Sequence, residues 1–139
     1  MLENDTIITA LIPHRPPFVM VDRLTKIEED EYWTEFTVEE DNFLVKDGFF
    51  QPTGMIENIA QSIAAGVGYL GKSRGETPKV GYIGAISRVI VSQLPHVGDK
   101  ITTRAKITHR LEPVVMVHGV CYCDQEKLLE GEIKLVLNE

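Results

Sequence analysis

The stretch "GFFQPTGMIENIAQSIAAGVGYLG", residues 48 to 71, decides how this chain folds. Ile56, Ile59/Ala60, Ile63, Val67 and Leu70 return every three or four residues, the period of one apolar stripe on an α-helix. Pro52 suits a first helical turn, where its missing N–H is no loss, and Gly71 stands near the end, so a helix is predicted over 52–72. Ala60, Ala64, Ala65, Gly66 and Gly68 leave little side-chain bulk, and each interior glycine costs about 1 kcal/mol relative to alanine. Some neighbour must approach this helix closely. Among its apolar and small residues stands one ionisable group, Glu57.

The flanking sequence is mostly extended. Asn4 and Asp5 suit the cap of a short helix over "TIITALI", which Pro13 closes. "PFVMVDRLTKIEE" and "EYWTEFTVEE" are rich in β-branched and aromatic residues, and the acidic spacer at Glu29 and Asp30 suits a hairpin between them. Residues 41–51 read as a loop. After the polar "SRGETP" come four candidate strands, "KVGYIGAISRVIVSQL", "DKITTRAKITHRL", "VVMVHGVCYCD" and "KLLEGEIKLVLN". The breaks between them, "PHVGD", "EP" and "DQE", are short enough for antiparallel neighbours. This order predicts a single α+β domain over 1–139, with a curved antiparallel sheet of about five to six strands wrapped round the long helix.

Composition narrows the function. At 139 residues, 43% hydrophobic and 25% charged, the chain suits one core of ordinary size. Its net charge of −7 opposes general binding to nucleic acid or to an anionic membrane surface. No apolar run reaches the roughly 18 residues of a membrane span, and "MLENDTIITALIP" lacks the basic-then-apolar pattern of a secretory leader, so the cytoplasm is expected. Cys121 and Cys123 fall on one face of one strand, where bridging each other is awkward, and reduced thiols are expected. No Cys or His spacing completes a metal set, and neither metal nor cofactor is expected.

Three segments carry a resemblance. "LIPHRPPFVMVDRL" at 11–24, "FF" followed by "IENIAQ" at 56–61, and "VGYIGAISRVIVSQLPHVGDKI" at 80–101 resemble the β-hydroxyacyl-[acyl-carrier-protein] dehydratases of the hotdog fold. The resemblance covers nearly the whole chain in order. It implies subunits joined edge to edge into a continuous sheet, acyl tunnels at the seam, and an acyl carrier protein bearing a 3-hydroxyacyl chain as partner. In that family the reaction uses a His of a "GHFP" segment before the helix and an acidic residue on the helix of the other subunit. Glu57 falls on the acidic position. The His does not carry over, because "FFQPTGMIE" runs from Phe50 straight into the helix. The chain is more similar to a dehydratase-like branch associated with aryl-polyene synthesis, which lacks that His and keeps "IExxAQ".

Eliminating water from a 3-hydroxyacyl thioester requires a base for the proton beside the carbonyl, an acid for the departing hydroxyl and donors for the enolate oxygen. Glu57 is the candidate acid/base, and His14 is the candidate replacement for the missing imidazole. The first turn offers backbone N–H groups at Thr53, Gly54 and Met55 for the oxygen. Gln61 would add a polar contact, and Phe50 and Gly84 complete the substrate-binding set that the resemblance implies. The plainer reading makes Glu57 a helix-dipole carboxylate or the partner of an Arg such as Arg88, and His14 a structural hydrogen-bonding group. His96, His109 and His118 are read as satisfied surface or core histidines. Lys100, Arg104 and Lys106 share one face of a strand, either as a solvated face or as a patch for an acidic carrier, with Lys72, Arg74 and Lys79 as rivals. The functional alternatives are a non-catalytic acyl-binding subunit beside a catalytic paralogue, in a homodimer or heterodimer, and a hotdog thioesterase.

Overall fold

The computed structural model describes residues 7–78 and 80–138. Within them the elements are β1 (Arg23–Glu28), β2 (Glu31–Thr37), β3 (Val45–Lys46), β4 (Phe49–Phe50), α1 (Pro52–Lys72), β5 (Val80–Val91), β6 (Lys100–Leu111), β7 (Val114–Cys123) and β8 (Glu126–Asn138). Six strands form one sheet in the order β1-β2-β6-β7-β8-β5, antiparallel throughout, while β3 and β4 make a separate small hairpin. The sheet curves round α1, giving the hotdog architecture, and α1 starts and stops at the residues the sequence predicts.

The two periodicities account for the core. α1 turns Ile56, Ile59 and Ile63 toward the sheet, with Ile59 and Ile63 fully buried. Truncating either to alanine would cost about 2–5 kcal/mol through lost transfer energy and the cavity left behind. β6 alternates, Ile101, Thr103, Ala105 and Ile107 buried under the helix and Lys100 and Lys106 exposed on the far side. The close approach that the helix glycines imply is present. A Cβ at Gly66 would overlap the Tyr32 ring, and one at Gly68 would run into the Leu11 carbonyl.

Four local expectations change. The first helix is a 3-10 turn, Ile8–Ala10, and its predicted caps Asn4 and Asp5 lie outside the described residues. β1 begins at Arg23 because the main chain of residues 18–20 is held by helix side chains instead of a strand. The loop at 41–51 contains the β3–β4 hairpin, with Val45 paired to Phe50. Finally, "PHVGD" does not join neighbours: β5 pairs with β8 at the sheet edge, whereas β6 lies between β2 and β7. A crossing of three strand spacings is about 14 Å, well within reach of the residues between β5 and β6 at about 3.3 Å each.

Candidate active site

Glu57 lies in the second turn of α1, and 3.6-residue periodicity puts Ala60 and Ala64 on the same stripe. With His14, Gly81, Ile83, Leu135 and Leu137 these residues line a small, partly open recess of about 40 Å³ between α1 and the β5–β8 edge of the sheet. The two groups singled out for acid/base work therefore share one cavity. Its remaining walls are uncharged and mostly apolar. Burial lowers the His14 pKa below its ordinary value, with Glu57 pulling it back up and Arg15 pushing it further down. At neutral pH the imidazole is therefore largely uncharged. Its Nδ1 is buried without a hydrogen-bond partner, the one such side-chain atom among the described residues. A buried polar atom left unpaired costs free energy, so Nδ1 calls for a partner that the described residues do not supply.

The segment carrying His14 is fastened to α1 by side-chain amides. Gln61, only 1% exposed, accepts from the Met20 N–H at 2.7 Å and donates to the Phe18 carbonyl at 2.8 Å and, more weakly, to Glu57 Oε2 at 3.4 Å. Arg15 donates through Nη1 to the carbonyls of His14, at 2.7 Å, and Ile12, at 3.0 Å. The peptide bond between Pro16 and Pro17 is cis.

The substrate-side expectations fare differently. The Gly54 N–H donates to the Gln51 carbonyl at 2.9 Å, and the Met55 N–H donates to the same oxygen at 3.3 Å, so neither is a free oxyanion donor in this chain. The space a Gly54 side chain would need is filled by the Phe50 ring. Phe50 and Met55 are fully buried, Phe50 with its ring 5.5 Å from that of Phe36, which makes them core residues and not cavity walls. Gln61 spends its amide on main chain and Glu57. Gly84 is the extra residue of a β-bulge in β5, exposed and adjacent in sequence to the recess-lining Ile83.

A family model described as ApeP-like, ApeP dehydratase, matches residues 6–138. The chain belongs to the ApeP-like dehydratase family. Among its relatives, the 3-hydroxyacyl-[acyl-carrier-protein] dehydratase FabZ of Lactococcus lactis subsp. cremoris (strain MG1363) is 30% identical over 142 residues, covering 96% of this chain and 94% of the relative. The FabZ of Oceanobacillus iheyensis is 26% identical over 140 residues, covering 94% and 95%. Among solved structures, the dehydratase heterocomplex ApeI:P from Xenorhabdus doucetiae superposes with a TM-score of 0.87 at 19% identity, over 96% of this chain and 92% of that one, a likeness of fold.

In this ApeP-like chain the other predicted groups sit away from the recess. His118 bonds Glu130 at 2.7 Å on the outer face, His96 stacks on Phe49 with ring centroids 4.4 Å apart, and His109 faces solvent beside Thr108. Arg88 pairs with Glu132 at 3.3 Å and not with Glu57. Lys100 and Arg104 pair with Glu35 at 3.3 Å and Glu31 at 3.4 Å, Glu35 also pairs with Arg23, Lys106 is exposed, and Arg74 pairs with Glu76 at 3.2 Å. Lys72 is exposed, and Lys79 lies outside the described residues. Cys121 and Cys123 are free thiols, and burial pushes Cys121 up to about 12, so it is inert. Among the described residues no group of three or more His, Cys, Asp or Glu is arranged to hold a metal ion.

Sequence reasoning missed the polar network under the site. Asn58, Ser62, Thr34 and Thr103 are all buried. Ser62 Oγ donates to the Asn58 carbonyl and lies 2.7 Å from Thr34 Oγ1, while Thr103 donates to Asn58 Oδ1. The available signal was an amide at a sheet-facing position of the helix, immediately after Glu57.

Proposed function

We propose that this chain is a subunit of a hotdog dehydratase that removes water from 3-hydroxyacyl groups carried as thioesters on an acyl carrier protein, and that it works in the cytoplasm. The observation that carries this reading is that Glu57 and His14, whose buried Nδ1 has no hydrogen-bond partner, line the same recess. The Glu57 carboxylate takes the proton from C2. The electron pair of that bond becomes the C2–C3 double bond, the C3–O bond breaks, and the same carboxyl returns the proton to the departing oxygen. Water and an enoyl thioester leave, and Glu57 ends ionised as it began. Neutral His14, in the tautomer with hydrogen on Nδ1, holds the C3 hydroxyl in place for this transfer. The apolar walls Ala60, Ala64, Ile83, Leu135 and Leu137 accept the methylenes of the chain.

The recess is bounded by an edge strand, and the character of that edge supports a second subunit there. β5 is 12 residues long, and Tyr82, Ile86, Ile90 and Val91 on it are exposed. Ile86 pairs across the sheet with fully buried Ile133, yet is itself 51% exposed. The other edge, β1, is short and bears Arg23, Lys26 and Glu28, the charges that keep an edge unpaired. A hotdog partner added along β5 would roof the recess at Gly81 and Ile83. Likeness to the ApeI:P heterocomplex favours a paralogue as that partner. In that case a second reading applies, in which this chain binds the acyl group while the paralogue supplies the catalytic groups.

The test is Glu57→Gln, which keeps the shape and removes the acid/base. Elimination from a 3-hydroxyacyl thioester should fall by about 10²- to 10⁴-fold. Undiminished elimination would overturn the assignment. Activity only on mixing with the paralogue, unchanged by Glu57→Gln, favours the non-catalytic reading, and release of free thiol without a double bond marks a thioesterase.

A further inference from the structure

Asn58 follows Glu57 in sequence but is fully buried on the sheet side of α1, beside Ile59 and Ser62. Packing alone does not call for an amide there, because burying one has a cost that an apolar residue of similar size avoids. Both ends of the amide are used. Nδ2 donates to the Met20 carbonyl at 2.7 Å, and Oδ1 accepts from the Thr103 hydroxyl of β6. With the Met20 N–H bonded to Gln61, both main-chain groups of Met20 are held by helix side chains, much as a neighbouring strand would hold them. From there the restraint passes toward His14 in short steps: Gln61 to the Phe18 carbonyl at 2.8 Å, the Phe18 N–H to the Arg15 carbonyl at 2.9 Å, and Arg15 Nη1 to the His14 carbonyl at 2.7 Å.

We infer that Asn58 is a positioning residue that ties the 14–20 segment to α1 and β6 and so holds the His14 imidazole against Glu57. This rests on the pairing of His14 with Glu57 proposed above. The charged groups acting on His14 are Glu57, from α1, and Arg15, beside it. The residues of β5 and β8 that line the recess, Gly81, Ile83, Leu135 and Leu137, carry no charge. Loosening the segment therefore acts on His14 mainly by admitting water.

The experiment is an NMR titration of the His14 imidazole in the full chain, alongside kcat and KM, for Asn58→Leu and Thr103→Val. Asn58→Leu leaves the Met20 carbonyl without its donor. It should bring the His14 midpoint up toward the ordinary histidine value and lower kcat by on the order of ten- to a hundredfold, with KM changed less. Thr103→Val disturbs the same core but keeps the bond to Met20, so it should lower Tm and leave the midpoint where it was. If Asn58→Leu does not fold, Asn58→Ser takes its place, keeping a hydroxyl for Thr103 but too short to reach Met20. An unmoved midpoint in a folded Asn58 variant, or an equal shift in Thr103→Val, overturns the inference. A wild-type chain without dehydratase activity whose midpoint still moves on Asn58 substitution would sink the reaction and leave the positioning role standing.

Discussion

Gly68→Ala is the sharpest test of the packing that brings the His14 segment to the helix. A Cβ added at Gly68 would lie inside contact distance of the Leu11 carbonyl oxygen, with the carbonyl carbon at 2.7 Å and Leu11 Cα at 3.1 Å. These are main-chain atoms, so no rotamer relieves the overlap, and helix and segment must separate on the order of an ångström. Overpacking of this kind costs about 1–3 kcal/mol, and a backbone obstacle belongs at the upper end. Against it stands a helix-propensity gain of about 1 kcal/mol. The net expectation is a loss of about 1–2 kcal/mol, or a Tm lower by roughly 3–10 °C for a domain of this size. Gly71→Ala on the same helix is the control. Its Cβ would meet only the flexible side chain of Glu76, at 3.0 Å and beyond, so the propensity gain survives and Tm stays level or rises by up to about 5 °C. Thermal unfolding followed by circular dichroism at matched protein concentration reads both. A Gly68→Ala chain as stable as wild type would refute the contact.

Two further outcomes follow from the charge and edge arguments. Because burial lowers the His14 pKa, the unfolded chain binds the proton more readily; the stabilisation is fully present above the ordinary value near 6.5 and is lost as pH falls from there through the depressed folded value. Chemical denaturation of wild type and His14→Gln across that range should show the wild type losing more stability on acidification, and parallel curves would contradict the burial. Ile90 on the β5 edge is 63% exposed, so Ile90→Lys should change the stability of the isolated chain by no more than about 0.5 kcal/mol. If β5 is the seam, the same change forfeits about 1.5–3 kcal/mol of burial and weakens association roughly 10- to 150-fold by sedimentation.

The sequence made the long helix and its length legible because both signals are local: a 3.6-residue apolar stripe, a proline that suits only the first turn, and a glycine at the end. It made the strands legible for the same reason, through alternation. What it hid was relational. "PHVGD" looks like a tight link, but whether a link joins neighbours or crosses the sheet depends on which strand β2 has already claimed, and here β2 pairs with β6. Phe50, Met55 and Gly54 carry the composition of an acyl slot, yet they are a core cluster because Phe50 folds back over Gly54. Glu57 and His14, by contrast, could be named in advance and do share one recess. Asn58 went unnoticed because a polar residue next to a carboxylate reads as surface.

The architecture also bears on why, in the proposed site, an imidazole would come from residue 14 and not from the approach to the helix. That approach has no slack. Val45 pairs with Phe50 in the β3–β4 hairpin, the Phe50 N–H donates to the Pro95 carbonyl at 2.9 Å, the Gln51 N–H donates to Leu44 at 2.9 Å, and Phe49 stacks on His96. A chain tied down at every residue from 49 to 51 has no loop left to carry a histidine over the first turn toward Glu57. The segment after Pro13 instead brings His14 to the recess that Glu57 lines, and its residues 18–20 are held by two amides that α1 itself supplies, Asn58 and Gln61. Tying down the helix approach and gripping the 14–20 segment are thus two halves of one arrangement. The proposed acid/base site needs its second group at fixed reach, and in that proposal the group is anchored through hydrogen bonds to the same helix that bears the first.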